Sequence, residues 1–148
     1  DWSSDVCSSD LTLSATVPAA WDRADATEGW EPPNADGATF PSLSVGSAEG
    51  WATHDGAAEG VFLALLPSTV QPEEVPKHPE CDTAGRTVLD NQDGNASVTV
   101  VYSGCPGGGV TIERVVQVSS NTLLWVQIRG DHLATANQVL DAVETHGI

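Results

Sequence analysis

Four strand-like segments separated by short turns occupy the second half of the chain, and they constrain the fold more than any other feature. The segments are rich in Val, Ile and Thr, which favour strands, and they span residues 86–90, 96–103, 109–118 and 122–129. Typical turn residues stand between them, at Asp93-Gly94, Cys105-Pro106-Gly107-Gly108 and Ser119-Ser120-Asn121. Because connections this short join antiparallel neighbours, the sequence predicts an antiparallel meander.

A helix is expected to close the chain. One apolar stripe recurs at helical spacing and consists of Leu133, Ala136, Leu140 and Val143. Asp131 is suited to the N-terminal cap and Gly147 to the C-terminal cap. Such a stripe must cover a sheet. The predicted fold class is therefore α+β, with a meander of about four strands and one or two N-terminal strands packed against this C-terminal helix.

The first half of the chain has fewer clear strands. Residues 11–17 alternate in the manner of a half-buried strand that Pro18 ends, and residues 61–66 form the compact apolar run of a buried strand. Residues 40–45 are a short strand candidate, and the rest of 31–60 is loop-like. Three prolines between residues 68 and 79 favour a loop or at most one helical turn.

Cys81 and Cys105 are expected to form a disulfide. A hairpin turning at Asp93-Gly94 pairs residues whose numbers add up to about 187, and the numbers of these two cysteines add up to 186. Directly opposed strand positions lie about 4.5–5.5 Å apart, within the range of about 4.4–6.8 Å that a disulfide requires between its Cα atoms. A disulfide implies an oxidising compartment outside the cytoplasm.

A metal site is the alternative for this region. His78, Glu80 and Cys81 offer metal-binding side chains, and His78-x-x-Cys81 is a possible ligand spacing. No second Cys-x-x-Cys motif or histidine partner accompanies them, so the disulfide is favoured and no metal is predicted.

Residues 1–11 are expected not to be native. Their sequence has no helix or strand period and lacks the basic start and apolar run of a signal peptide. One set of codons for these residues spells the end of a common short-read sequencing adapter. We therefore expect a gene truncated upstream, with a single native domain over residues 12–148.

The charge of the chain excludes some partners. Five Lys and Arg stand against 21 Asp and Glu, which gives a formal net charge of −16. No basic stripe for nucleic acid is present, and an anionic membrane surface would repel the chain. Any membrane attachment is expected to come from an anchor upstream of residue 12.

Three tryptophans and one histidine form the candidate binding surface. Trp21, Trp30 and Trp51 lie in Gly- and Pro-rich connecting segments, and His54 follows Trp51 beside Asp55. Aromatic side chains on loops often line binding sites, although in a small domain they also close the end of the core. No Gly-x-Ser-x-Gly or His-Glu-x-x-His motif accompanies His54, so neither catalytic residues nor a cofactor are predicted.

Several motifs resemble those of PsbP-like α/β/α sandwich domains. They are Leu13-x-x-x-Val17-Pro18-x-x-Trp21, Gly29-Trp30, the late meander and the closing Val139-Leu140-Asp141-Ala142-Val143. Three further features look like an actinobacterial version: Gly60-Val61-Phe62-Leu63, His78-x-x-Cys81 and Tyr102-x-x-Cys105. The resemblance covers nearly all of residues 12–148 and implies a sheet flanked by helices, without catalytic residues. The segment after Trp21 is loop-rich, so the helix on the second face is expected to be short or absent.

The resemblance implies an extracytoplasmic function. Such domains occur in secreted lipoproteins and behind the membrane helix of serine/threonine kinases. The first hypothesis is a non-catalytic sensor domain that binds a small molecule, a cell-wall fragment or a protein. The second is a stand-alone lipoprotein that carries or scaffolds an apolar ligand, and the third is a small hydrolase that uses His54 and Asp55.

Overall fold

The computed structural model is an antiparallel β structure with one short helix near its C-terminus. It describes residues 2, 6–7, 12–30, 39–48, 51, 58–67, 78, 80–85, 88–92, 95–105, 109–120 and 122–145. In chain order the elements are β1 (Val6–Cys7), β2 (Leu13–Ala15), β3 (Arg23–Trp30), β4 (Phe40–Gly46), β5 (Gly60–Pro67), β6 (Thr83–Ala84), β7 (Val88–Gln92), β8 (Asn95–Ser103), β9 (Val110–Ser119), β10 (Thr122–Gly130), α1 (Leu133–Asp141) and β11 (Glu144–Thr145).

A large antiparallel sheet forms the centre of the molecule. Its strand order is β3-β4-β5-β10-β9-β8-β6, and β7 also pairs with β8. The predicted meander is confirmed, because β7, β8, β9 and β10 follow one another within a residue or two of the expected bounds. Alternating β-branched residues and short turns were sufficient to locate these strands.

The segment after Trp21 departs from the sequence prediction. It was expected to be a loop, but Arg23–Trp30 is the edge strand β3, which pairs with β4. Strands β2, β3, β4 and β5 all precede the meander, so the expected one or two N-terminal strands were too few. Residues 23–29 are mostly polar or small, and their extended form follows from backbone pairing with β4 rather than from a side-chain pattern.

A second, smaller sheet has the order β1-β2-β11. Val6 pairs with Ala15, and Glu144 pairs with Ser14 on the other side of β2. Trp2 also bridges to Pro18. The non-native origin of residues 1–11 stays a prediction, because a short extended segment of either origin can pair with an open strand edge.

The main core lies between one face of the large sheet and a layer formed by β2 and α1. It contains β4, β5, β9 and β10 side chains together with Leu13, Val17, Ala136 and Val139. These last four residues are at most 1% exposed. Complete burial of a Leu, Ile or Val side chain contributes about 1.5–3 kcal/mol. The layer of β2 and α1 therefore covers one face of the large sheet. This packing of a sheet against a helix confirms the α+β fold class.

The helix begins differently from the prediction. His132 occupies the N-cap position without a side-chain hydrogen bond. Asp131, expected to cap the helix, lies one residue before that position and donates its backbone N–H to Glu59 Oε2 at 3.2 Å. Ala136 and Leu140 of the predicted stripe are buried, but Leu133 is 45% exposed. The helix ends at Asp141, and Gly147 lies outside the described residues. Within those residues, no helix has the length and apolar character of a membrane span.

Candidate functional site

The second face of the large sheet carries a group of polar side chains. Directly paired antiparallel residues point to the same face, so the register defines two rows across the strands. One row contains Ser44, Phe62, Gln127 and Glu113, and the next contains Gly46, Gly60, Arg129 and Thr111. Their in-strand neighbours, such as Ile112 and Ile128, belong to the main core. This second face, defined by the two rows, is named the polar face below.

Glu113 is the centre of the polar face. Its side chain is fully buried, and three donors, two on β10 and one on the segment before β6, approach its two oxygens. Trp125 donates its indole N–H to Oε1 at 2.6 Å, and Gln127 donates its amide N–H to Oε2 at 2.6 Å. The third is His78, whose Nε2 lies 2.5 Å from Oε2. A buried charge is tolerated only with such pairing, and here three donors fix one carboxylate.

His78 lies between two carboxylates. Its Nε2 faces Glu113, and its Nδ1 lies 2.9 Å from Glu80 Oε2. The hydrogen bond to Glu113 raises the pKa of His78 above its ordinary value, against the opposing effect of burial. The hydrogen bond between His78 Nδ1 and Glu80 lowers the pKa of the Glu80 carboxyl. Two acceptors on one imidazole favour the doubly protonated, positively charged ring. The ring of Tyr102 packs edge-on against it at 5.0 Å.

The predicted disulfide is present and anchors the segment that carries His78. Cys81 and Cys105 are bonded, and their Cα atoms are 3.9 Å apart. The β7–β8 hairpin pairs Val88 with Thr99 as expected, whereas Thr83 pairs with Ser103, one residue out of that register. This shift places the cysteines opposite each other. The Cys81 N–H donates to the His78 carbonyl at 3.1 Å, so the crosslink fixes the backbone beside the imidazole.

The disulfide also removes the alternative metal site. Cys81 has no free thiolate to offer, and both His78 ring nitrogens already face carboxylates. No cluster of metal-binding side chains occurs among the described residues.

Trp51 packs on the part of the polar face that β4 and β5 form. Its indole lies directly on Gly46 and Gly60, where a Cβ atom at either position would overlap the ring. The indole N–H donates to Ser44 Oγ at 2.9 Å, and Trp51 as a whole is only 3% exposed. Glycine at these two positions therefore creates the space into which Trp51 packs.

A recess opens on the polar face between Trp51 and His78. Its volume is about 70 Å³, and its lining consists of Trp51, His78, Glu80, Thr111, Gln127 and Arg129. Thr111 is 2% exposed, and its hydroxyl is the one buried side-chain polar atom among the described residues that lacks a hydrogen-bond partner. Buried hydroxyls are normally paired. The recess is therefore lined by a residue whose hydroxyl has no hydrogen-bond partner.

Two of the predicted binding residues, Trp21 and Trp51, lie on opposite faces of the large sheet. Trp21 is 4% exposed and belongs to the main core, on the opposite side of the sheet from Trp51. Trp21 therefore packs in the core, as the alternative interpretation of these tryptophans expected. Trp30 lies in β3 with its side chain outside the described part of the structure, and His54 lies outside it altogether. The surface proposed for those two residues stays a prediction.

The sequence contained a signal for the residues that were missed. Trp125, Gln127 and Arg129 alternate with core residues in β10, and Thr111 and Glu113 do the same in β9. The short turn at 119–121 places these two sets opposite each other, so a polar face could have been inferred from the hairpin alone.

Known proteins give no independent assignment. No protein-family model matches the sequence, and no curated protein matches it either.

Proposed function

We propose that this chain is a non-catalytic, extracytoplasmic ligand-binding or sensor domain whose binding site is the recess of the polar face. The observation that carries the proposal is the buried, unpartnered Thr111 hydroxyl in a recess walled by Trp51 and His78. A pocket with a few fixed polar groups is the usual form of a small-molecule site.

The chemistry of His78 supports binding over catalysis. A general base that activates a nucleophile needs one ring nitrogen free to accept that group's proton. Here both nitrogens face carboxylates. The arrangement keeps a positive charge in place and presents a fixed surface, which suits recognition.

The disulfide supports an extracytoplasmic location. Disulfides persist in oxidising compartments and are rare in the cytoplasm. Because the Cys81–Cys105 bond fixes the segment of His78, the geometry of the proposed site depends on that compartment.

The resemblance to PsbP-like domains supplies the proposed setting. An antiparallel sheet with a C-terminal helix agrees with a sandwich of this kind. In actinobacteria such domains stand behind the membrane helix of serine/threonine kinases, so we propose that this one belongs to a membrane-anchored receptor of that type. The polar lining of the recess favours a polar ligand over the apolar cargo of a carrier lipoprotein.

The test is a ligand screen with the oxidised protein. Thermal unfolding and tryptophan fluorescence are recorded against saccharides, short peptides and fractions of digested cell wall. We expect at least one class to raise the unfolding midpoint, and the rise to shrink in Glu80→Ala, whose side chain is at the rim of the recess and 42% exposed.

Asp141→Ala, an exposed change in α1, is the matched control and should keep the full response. No response to any class, or turnover of generic ester and phosphate substrates that His78→Gln abolishes, would contradict the proposal.

A further inference from the structure

We infer that the recess binds a hydroxyl group or a pair of hydroxyl groups of a neutral saccharide. This inference rests on the proposed function and specifies the ligand class of the same site.

The first argument is the balance of charge around the recess. The positively charged groups are Arg129 and the His78 ring, and the negatively charged groups are Glu80 and Glu113. Arg129 is close enough to Glu80 to contribute to the lowered pKa of that carboxyl. Two charges of each sign leave no net charge to attract an ion. The chain as a whole, at −16, repels anions.

The second argument is the mixture of hydrogen-bonding groups. The Thr111 hydroxyl can both donate and accept, the Arg129 guanidinium only donates, and a Glu80 carboxylate only accepts. A sugar hydroxyl is itself donor and acceptor, so it can satisfy groups of both kinds within one small volume. A simple anion would satisfy the donors and oppose the carboxylate, and an ammonium group would do the reverse.

The third argument is the size and the surroundings. A volume of about 70 Å³ accommodates a substituent and not a whole sugar ring. Trp51 also borders a broader groove of about 600 Å³, lined by Asp22–Asp25, Ser44 and Ala48. A saccharide chain seated in that groove would pass Trp51 and place a terminal hydroxyl against Thr111.

The experiment compares neutral and charged saccharides on one protein. Neutral oligosaccharides and their uronate-containing counterparts are titrated by calorimetry into the wild type and into Thr111→Val. Valine has nearly the shape of threonine without the hydroxyl. The inference predicts binding of a neutral saccharide that weakens roughly tenfold in Thr111→Val, the effect of one lost hydrogen bond. The unfolding midpoint of Thr111→Val should not fall below that of the wild type, because the hydroxyl that is removed has no hydrogen-bond partner.

Thr99→Val is the matched control. Thr99 lies in the neighbouring strand β8 and accepts a hydrogen bond from Arg114 Nε at 2.8 Å, away from the recess. This variant should bind the saccharide as the wild type does. If both valine variants fold poorly, a crystal structure of the wild type soaked in the best neutral saccharide decides the question by showing whether a hydroxyl lies within hydrogen-bond distance of Thr111 Oγ1.

The outcomes separate the two proposals. Binding of a peptide or an anion that weakens in Thr111→Val would overturn the saccharide assignment and leave the binding function intact. Saccharide binding that is equal in the wild type and Thr111→Val would move the site away from the recess. If no ligand binds and the soaked crystal shows only an ordered water on Thr111, both proposals fail.

Discussion

His78 and Glu113 are 35 residues apart in the sequence, yet the imidazole Nε2 and the carboxylate Oε2 lie 2.5 Å apart on the polar face. The contact joins the segment before β6 to the middle of β9. It is made on the face of the large sheet opposite the main core. The predictions below follow from the contacts of these two residues and of Trp51.

Glu113→Gln should destabilise the protein by about 2–4 kcal/mol, because it removes the charge partner of a positively charged imidazole and turns one of three acceptor contacts into a donor–donor clash. The three affected donors belong to His78, Trp125 and Gln127. Urea unfolding measures the loss. Asp141→Asn, at an exposed position, should change stability by less than about 0.5 kcal/mol. A similarly small effect in Glu113→Gln would mean that the buried network does not form.

The stability of the protein should fall as the pH rises through the raised pKa of His78. In the unfolded chain a histidine titrates near about pH 6.5, and in the folded protein its pKa lies higher, chiefly through the Glu113 hydrogen bond. The stabilisation is therefore complete below the unfolded value and is lost above the folded one. Glu80 acts in the opposite sense, because its lowered pKa makes its contribution disappear at acid pH.

The pH prediction is checked by measuring the free energy of unfolding of the wild type and His78→Gln from about pH 5 to about pH 10. The difference between the two proteins should be largest at the acid side of neutrality and shrink towards the alkaline end. A constant difference would show that the pKa of His78 is the same in the folded and the unfolded state, and would contradict the prediction.

Loss of the disulfide should destabilise the domain by about 3 kcal/mol, the chain-entropy value for a loop of this size. Cys81 and Cys105 are separated by 24 residues. Thermal unfolding of the Cys81→Ser, Cys105→Ser double variant measures the effect, and Cys7→Ser serves as the control because Cys7 is free and exposed. The double variant should also lose ligand binding, since the crosslink holds the backbone next to His78. Binding that survives unchanged would separate the site from the disulfide.

Gly60→Ala should cost about 1–3 kcal/mol, because its methyl group would overlap the Trp51 indole. The same change made together with Trp51→Ala should cost less than the sum of the single changes, by about 1 kcal/mol or more. Urea unfolding of the four proteins of this cycle provides the measurement. Strict additivity would mean that Trp51 does not pack on Gly60.

The sequence predicted the parts of the fold whose pattern is local. The alternation in β8, β9 and β10 was sufficient to locate these strands, and the hairpin register brought Cys81 and Cys105 within one residue of direct opposition. Strand β3 was not predicted, because its polar residues become extended only by pairing with β4. The cap at Asp131 was wrong because the helix begins one residue later than that cap requires, with His132 at the N-cap position.

The site was harder to predict than the fold. A glutamate in the middle of a strand is usually a solvent-facing residue, whereas Glu113 is buried and contacts His78, Trp125 and Gln127. The contact with His78 depends on a one-residue shift in register between β6 and β7, which no local pattern specifies. The position of the tryptophans in connecting segments led to the same prediction for Trp51, which lines the recess, and for Trp21, which lies in the core.

The most direct test of the binding proposal is a nuclear magnetic resonance titration that follows the indole N–H signals of the five tryptophans. Trp51 and Trp125 donate to Ser44 and Glu113 on the polar face, and Trp21 lies in the core. Adding the neutral oligosaccharides should shift the Trp51 and Trp125 signals saturably and leave Trp21 in place. If the Trp51 and Trp125 signals stay fixed while any ligand binds, the polar face is not the binding site.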